Sequence, residues 1–240
     1  MPSREVVQLG DRVRLRLINT ATARVFPVRI EGLSAWVVAL DGMPLAQPRA
    51  LEDIQLAPAQ RIDVIGDVTG QVDFLFIARD QLIEMGALSV DGQNAAPRTG
   101  PVAPLPAADV TLPKAVPDQS LTLKMEGGAM GGRHAGDDIW AFNGVSGMSD
   151  TPFASVQRGE TAVIELINDT SFPHGIHLHG HHFHDLTADG SPGDLRDTSL
   201  VDRGQSQKIA VVFDNPGKWL LHCHMLGHQA SGLKTWVEVT

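Results

Sequence analysis

The chain has 240 residues, 42% hydrophobic and 20% charged, with 24 Gly, 15 Pro and a net charge of −9 in which acidic and basic residues are interspersed. No run of about 18 apolar residues occurs, which excludes a transmembrane helix, and no basic face stands out, which argues against nucleic acid or an anionic membrane surface as partner. One cysteine cannot make an intrachain disulfide, so cysteine usage says nothing about the redox compartment.

The opening MPSREVVQLGDRVRL has no apolar h-region, so no export signal is expected in this chain. GDRVRLRLIN (Gly10 to Asn19) alternates with period two, as in Arg12-Val13-Arg14-Leu15-Arg16-Leu17, and predicts a strand with one buried face. Asp41-Gly42 marks a turn, and AQRIDVIGDVTGQVDFLFI (Ala59 to Ile77) reads as strand, turn at Gly70, strand. PRTGPVAPLPAADVTLPKAVP, residues 97 to 117, holds six prolines and little periodicity, the composition of an extended, semi-rigid linker. Beyond it come QSLTLKM, WAFNGVSG and the strand GETAVIELIN (Gly159 to Asn168), which contains Thr161-Ala162-Val163-Ile164-Glu165-Leu166. The histidine-rich HGIHLHGHHFH (His174 to His184) follows, then SQKIAVVFDNPGKWLLHCH (Ser206 to His224) with its turn Asn215-Pro216-Gly217. Helix is expected only in brief pieces, one of them around Met225 to Ala230.

Two of these stretches occur twice. GDRVRLRLIN aligns without gaps on GETAVIELIN at an offset of 149, and Ala59 to Ile77 aligns on Ser206 to His224 at an offset of 147, sharing Gln60/Gln207, Asp67/Asp214 and Gly70/Gly217. The expectation is an all-β tandem duplication of two Greek-key sandwiches or barrels: residues 1–95, a Pro-rich linker at 96–117, and residues 118–240. About 40 residues lie between the linker and Gly159, but only nine precede Gly10. The first domain is therefore expected to lack its opening strands, and the chain to be a fragment.

Nine of the ten histidines fall between His174 and His228, in the second copy only. Residues two apart on a strand share a face, so His177 and His179 point one way, and His222 and His224 share a face opposite Cys223. Two His-x-His pairs aimed at a common space offer four imidazoles. Cys223 with His174 and His228 offers two nitrogens and one thiolate, the trigonal donor set of a blue-copper electron-transfer centre. At the equivalent places the first copy has Leu75-Phe76-Ile77 and Arg29-Ile30-Glu31-Gly32, so it is expected to be copper-free.

An isolated Cys is ordinarily a small hydrophobe, and zinc also accepts Cys and His, but neither accounts for the interleaved His-Cys-His. His134 reads as a solvated loop residue. His181, His182 and His184 read as supporting or surface groups, Met125, Met130 and Met148 as core or loop filling, and Asp185, Asp189 and Asp194 as solvated turns.

HGIHLHGHHF (His174 to Phe183), RDTSLV (Arg196 to Val201) and HCHMLGHQASGL (His222 to Leu233) together resemble the C-terminal part of a multicopper oxidase of the laccase type. The resemblance covers essentially the whole chain and implies two cupredoxin-like domains, the second and third of that family. It implies type 1 copper ligands His174, Cys223 and His228 with Leu233 at the axial place, His177 on the type 2 copper, and His179, His222 and His224 on the binuclear type 3 pair, with four coppers per complete enzyme. Leu cannot coordinate, which should raise the reduction potential relative to relatives with Met there. The implied activity is one-electron oxidation of a small phenolic or similar aromatic donor coupled to reduction of O2 to water. The other four histidines of the cluster come, in the family, from an N-terminal cupredoxin domain with two His-x-His motifs that this chain lacks. Gln229 stands where many bacterial relatives have an acid that helps deliver protons, and Gly227 replaces a bulkier or acidic residue. The resemblance implies a periplasmic or secreted location. The alternatives are a copper electron-transfer module without oxygen reduction and a Cu(I) oxidase.

Overall fold

The computed structural model describes residues 6–128 and 139–240; His134 and Met130 lie outside them. Apart from one helical turn, the elements are strands in two compact units. One unit comprises Met1–Asn19, Val25–Leu56 and Gln60–Ala108, the other Thr20–Arg24, Ala57–Ala59 and Asp109–Thr240. No helix among the described residues is long and apolar enough to cross a membrane.

The first unit is built from β1 (Val6–Leu9), β2 (Arg12–Ile18), β3 (Phe26–Leu40), β4 (Met43–Ala50), β5 (Ile54–Leu56), β6 (Arg61–Ala78) and β7 (Gln81–Gln93). The path β1-β7-β6-β3-β4 forms its sheet, with β2 on β6 and β5 on β3. Period-two alternation does what it predicts in β2: Leu15 and Leu17 pack on the core of Val37, Leu40, Leu56, Ile62 and Val64. The arginines of the same strand meet the acids of β6, Arg12 on Asp67 and Arg14 on Asp63.

The second unit holds β8 (Gln119–Gly127), β9 (Trp140–Phe142), β10 (Ala154–Val156), β11 (Thr161–Asn168), β12 (His174–Leu178), β13 (Phe183–Leu186), β14 (Pro192–Arg196), β15 (Thr198–Val201), β16 (Ser206–Val212), β17 (Gly217–Cys223), α1 (Leu226–Ala230) and β18 (Lys234–Val239). It has two sheets, β14-β13-β16-β11-β8-β9 and β10-β18-β17-β12-β15. Leu123, Met125, Ile164, Leu166 and Ile209 of the first, with Ile176, Leu178, Leu221 and Val237 of the second, are all fully buried, the two-layer core of a β-sandwich. Met125 is core filling, and Met148 is exposed.

Register locates the duplication and corrects one alignment. β2 sets Arg12 opposite Asp67, and β11 sets Thr161 opposite Val212, so β16 corresponds to the start of β6 at an offset of 145 rather than 147. Gln60/Gln207 and Asp67/Asp214 are therefore not structural equivalents. The offset of 147 does hold further on, where Arg29 opposite Leu75 matches His177 opposite His222. The second copy carries two more residues between these paired segments, around Asn215-Pro216. There the long β6 of the first unit becomes two strands, β16 and β17, which join different sheets.

Candidate metal centre

β12 and β17 run antiparallel with Ile176 opposite Cys223, His177 opposite His222 and Leu178 opposite Leu221. Alternation then sorts the side chains. His174, Ile176, Leu178, Leu221 and Cys223 face inward, each fully buried, while His177, His179, His222 and His224 take the other face. The chain next folds into α1 and returns, with Leu233 N donating to His228 O (2.9 Å) and Cys223 N to Leu233 O (3.1 Å). That return brings His228 to the inward set.

Cys223 Sγ lies 3.6 Å from His174 Nδ1 and 3.8 Å from His228 Nδ1, and the two nitrogens are 3.1 Å apart. The point equidistant from these three atoms is about 2.0 Å from each, close to metal–nitrogen and metal–sulfur bond lengths of about 2.0–2.3 Å. Burial holds the site neutral without a metal: it pushes the Cys223 thiol up to about 12, His174 down to about 3 with help from His228, and His228 also downward. Neutral imidazoles present free lone pairs, and a soft metal would displace the thiol proton. The donor set and its size fit copper. Leu233, fully buried, offers no coordinating atom.

Trp140 covers this set. Its ring centroid is 4.4 Å from that of His228, tilted 36°, and 4.9 Å from that of His174, edge-on. The two histidines are otherwise treated differently. His174 Nε2 meets Thr170 Oγ1 at 2.8 Å, whereas His228 is half-buried and makes no hydrogen bond through Nε2 among the described residues.

On the opposite face four imidazoles converge more loosely, His177 lying 4.8 Å from His179, 5.7 Å from His222 and 5.6 Å from His224 between ring centroids. His177 Nδ1 donates to Asp197 O (2.8 Å) and His222 Nδ1 to Cys223 O (2.9 Å), which turns both Nε2 lone pairs toward the shared space. His179 Nε2 and His222 Nε2 face each other at 3.0 Å. Burial pushes His222 down to about 4, and burial with neighbouring His177 and His224 lowers His179. His222 is buried, His177 and His224 are partly so, and His179 is exposed.

His181, His182 and His184 belong to neither set; they border a separate cavity of about 100 Å3 together with Thr111 and Asp214. His181 donates from Nδ1 to His179 O (3.3 Å) and packs on Phe213, and His184 donates from Nδ1 to Gly193 O (2.9 Å). Asp189 is an exposed turn residue capped by Thr187 and Ser191, while Asp185 accepts from Ser199. Sequence reading passed over Asn168, Thr170, Trp140 and Asp197, although Asn168 closes the duplicated strand and Trp140 and Asp197 lie inside WAFNGVSG and RDTSLV.

Sequence models of the multicopper oxidase family match residues 116–240 and residues 5–97. The chain is 33% identical to multicopper oxidase MmcO of Mycobacterium tuberculosis over 95% of its own length and 46% of that protein. It is 25% identical to Laccase-1 of Pleurotus ostreatus over 95% of its length and 51% of that protein. Among solved structures, Lac15 from a marine microbial metagenome superposes with a TM-score of 0.84 at 48% identity, over 99% of this chain and 57% of the other. The chain thus spans about half the length of the curated relatives it matches.

Proposed function

The chain belongs to the multicopper oxidase family, whose cofactor is copper, and on that premise we propose that it is the electron-accepting half of a laccase-type oxidase. In this reading the whole protein takes electrons singly from phenolic or similar aromatic donors and reduces O2 to water. His174, Cys223 and His228 would hold the type 1 copper, His177 the type 2, and His179, His222 and His224 their share of the type 3 pair. Copper bound at these sets supplies the one-electron and oxygen chemistry.

The carrying observation is the placement of one thiol and two imidazoles on consecutive residues of one strand end, facing opposite ways. Cys223 is joined to His222 both through the backbone and by the His222 Nδ1 bond to the Cys223 carbonyl at 2.9 Å. An electron entering at the buried thiolate therefore has a short bonded path to the four-imidazole face. His228 serves as the entry: it is the partly exposed member of its set, flanked by Phe172 at 6.3 Å between centroids. The aromatic edge supports docking of a planar donor. The buried shell of Trp140, Leu233 and Ile176 keeps water from the thiolate. The partner is a cupredoxin domain supplying two further His-x-His motifs, and the location periplasmic or extracellular.

An electron-transfer module without oxygen reduction is the competing reading, favoured by the exposure of His179 on a loosely gathered imidazole face. Copper content, the absorption spectrum and oxygen uptake on one purified sample separate the two. The oxidase reading expects a blue band and oxygen uptake when a polypeptide with the two motifs is present. A blue band with no uptake in that presence leaves only electron transfer, and copper bound without a blue band overturns the assignment of Cys223.

A further inference from the structure

The loop between β11 and β12 holds a hydrogen-bond relay whose proton directions are all determined. Asn168, 1% exposed, donates from Nδ2 to the carbonyls of Phe172 (2.7 Å), Val201 (3.0 Å) and Asp202 (3.1 Å). Its amide cannot flip without losing all three, so Oδ1 is held toward Thr170, accepting from Thr170 N (3.1 Å) and Thr170 Oγ1 (2.7 Å). The other acceptor facing that hydroxyl, Phe172 O at 3.1 Å, is also a carbonyl, and Phe172 N donates to the hydroxyl oxygen at 3.2 Å. The 2.7 Å approach of Thr170 Oγ1 to Asn168 Oδ1 needs a proton between the two oxygens, and only the hydroxyl can supply it, so Oγ1 accepts from His174 Nε2, 2.8 Å away. His174 must then carry its proton on Nε2 and present a bare Nδ1, the atom that faces Cys223 and His228.

We propose that Thr170, held by Asn168, is the positioning residue that fixes the tautomer and ring orientation of His174 and so pre-forms the cysteine-containing metal site. The inference rests on the reading of His174 as a ligand.

The first copy supplies an internal control. Asn19 corresponds to Asn168 and donates to Leu56 O (2.7 Å) as Asn168 donates to Val201 O. The match is registered by strand pairing, since Leu56 lies opposite Phe26 where Val201 lies opposite His174. The carbonyl-clamping Asn is therefore framework, present with or without a metal site. At the place of Thr170, two residues on, the first copy has Ala21, and at the place of His174 it has Phe26. The hydroxyl is missing where its histidine is missing, and in the second copy it braces both the ligand, through His174 Nε2, and the loop, through Phe172 N (3.2 Å). A partner on the far nitrogen orients a metal-binding imidazole and raises its basicity, and losing such a partner typically costs about 10–100-fold in metal affinity.

The test uses the full chain as parent, Thr170→Val and Thr170→Ser. In the metal-free protein, nitrogen-15 NMR of His174 should find Nε2 protonated in the parent and the Ser variant, and a mixture or the reversed tautomer in the Val variant. Copper affinity, read by competition with a chelator, should fall about 10–100-fold in the Val variant, with a shifted blue band, and recover in the Ser variant. A parent with His174 protonated on Nδ1 overturns the proposal even if no variant folds. So does a Val variant with parental tautomer, affinity and spectrum but lower thermal stability, which would make Thr170 a loop-folding residue. Absence of a blue band from the copper-loaded parent would instead sink the ligand reading, while the metal-free tautomer would still decide the role of Thr170.

Discussion

Where the second unit sets His174 against Cys223 with nitrogen and sulfur 3.6 Å apart, the first sets Phe26 against Phe76, edge to face with centroids 5.8 Å apart. The pairs occupy the same register positions, Phe26 opposite Leu56 as His174 opposite Val201, and Val28 opposite Phe76 as Ile176 opposite Cys223. Around them the scaffold is alike. Gly10 N bonds Val68 O and Gly159 N bonds Phe213 O, both at 2.8 Å, and Gly32, at the bulge within β3, and Gly180, just after β12, both lie in the left-handed region, at φ +76 and +72. One framework thus accommodates either a donor set or an aromatic pair. On the reading of His174, Cys223 and His228 as ligands, a metal site is a small group of side chains set on a framework that both copies share.

The comparison breaks most sharply at the paired positions themselves. Cys223→Ser should abolish the blue band and donor oxidation while leaving a folded chain. Phe76→Ala should do the reverse, leaving copper content unchanged and lowering unfolding stability by about 2 kcal/mol through a lost aromatic contact and lost apolar burial. Loss of copper from the Phe76 variant would show that the first unit takes part in binding, and the expectation of a copper-free first copy would fall.

The shared glycines give the next largest effect. A Cβ at Gly180 would come within 2.3 Å of the Trp219 ring, and one at Gly32 within 1.9 Å of Gln71 O, both at positive φ. Gly32→Ala and Gly180→Ala are each expected to cost at least about 2 kcal/mol in denaturant titrations. Only Gly180→Ala should also reduce copper loading, because it displaces the neighbouring His179. Equal copper in both would separate His179 from the site.

A smaller contrast comes from the two asparagines. Asn19→Ala removes the bond to the Leu56 carbonyl, whereas Asn168→Ala removes bonds to three carbonyls and releases Thr170. Thermal unfolding should register roughly 1 and 3 kcal/mol respectively, and parity between them would mean that the three-carbonyl clamp contributes no more than one bond.

The smallest difference is in acid. Arg12 holds the Asp67 carboxyl below the usual carboxylate range, chiefly through their hydrogen bonds. A depressed folded-state value contributes stability above about pH 4 that is lost as pH falls through it. The equivalent pair in the second unit is Thr161 opposite Val212, with no charge. Asp67→Asn should therefore flatten the decline of the unfolding midpoint below about pH 4. An unchanged slope would place the acid sensitivity elsewhere.

Much of this molecule can be read directly from local pattern. Period-two alternation identified β2 and β11 and placed the two His-x-His pairs and Cys223 on opposite faces, because a strand's side-chain direction depends only on residue spacing. Family motifs led to copper for the same local reason. The two-residue slip between β16 and β6 was hidden, since Asn215-Pro216-Gly217 can be aligned on the first copy's turn without a gap, and only pairing across the sheet reveals the misfit. Thr170 behind His174, Trp140 over His228 and the Phe26–Phe76 pair were likewise invisible. Each joins residues far apart in sequence or across a loop, and such contacts exist only once the sheets have closed. What the amino-acid sequence determined by itself was the inventory of donors and the faces they occupy; the tertiary structure decided the register, the hydrogen-bond partners that direct each lone pair, and the filling of the copy that has none.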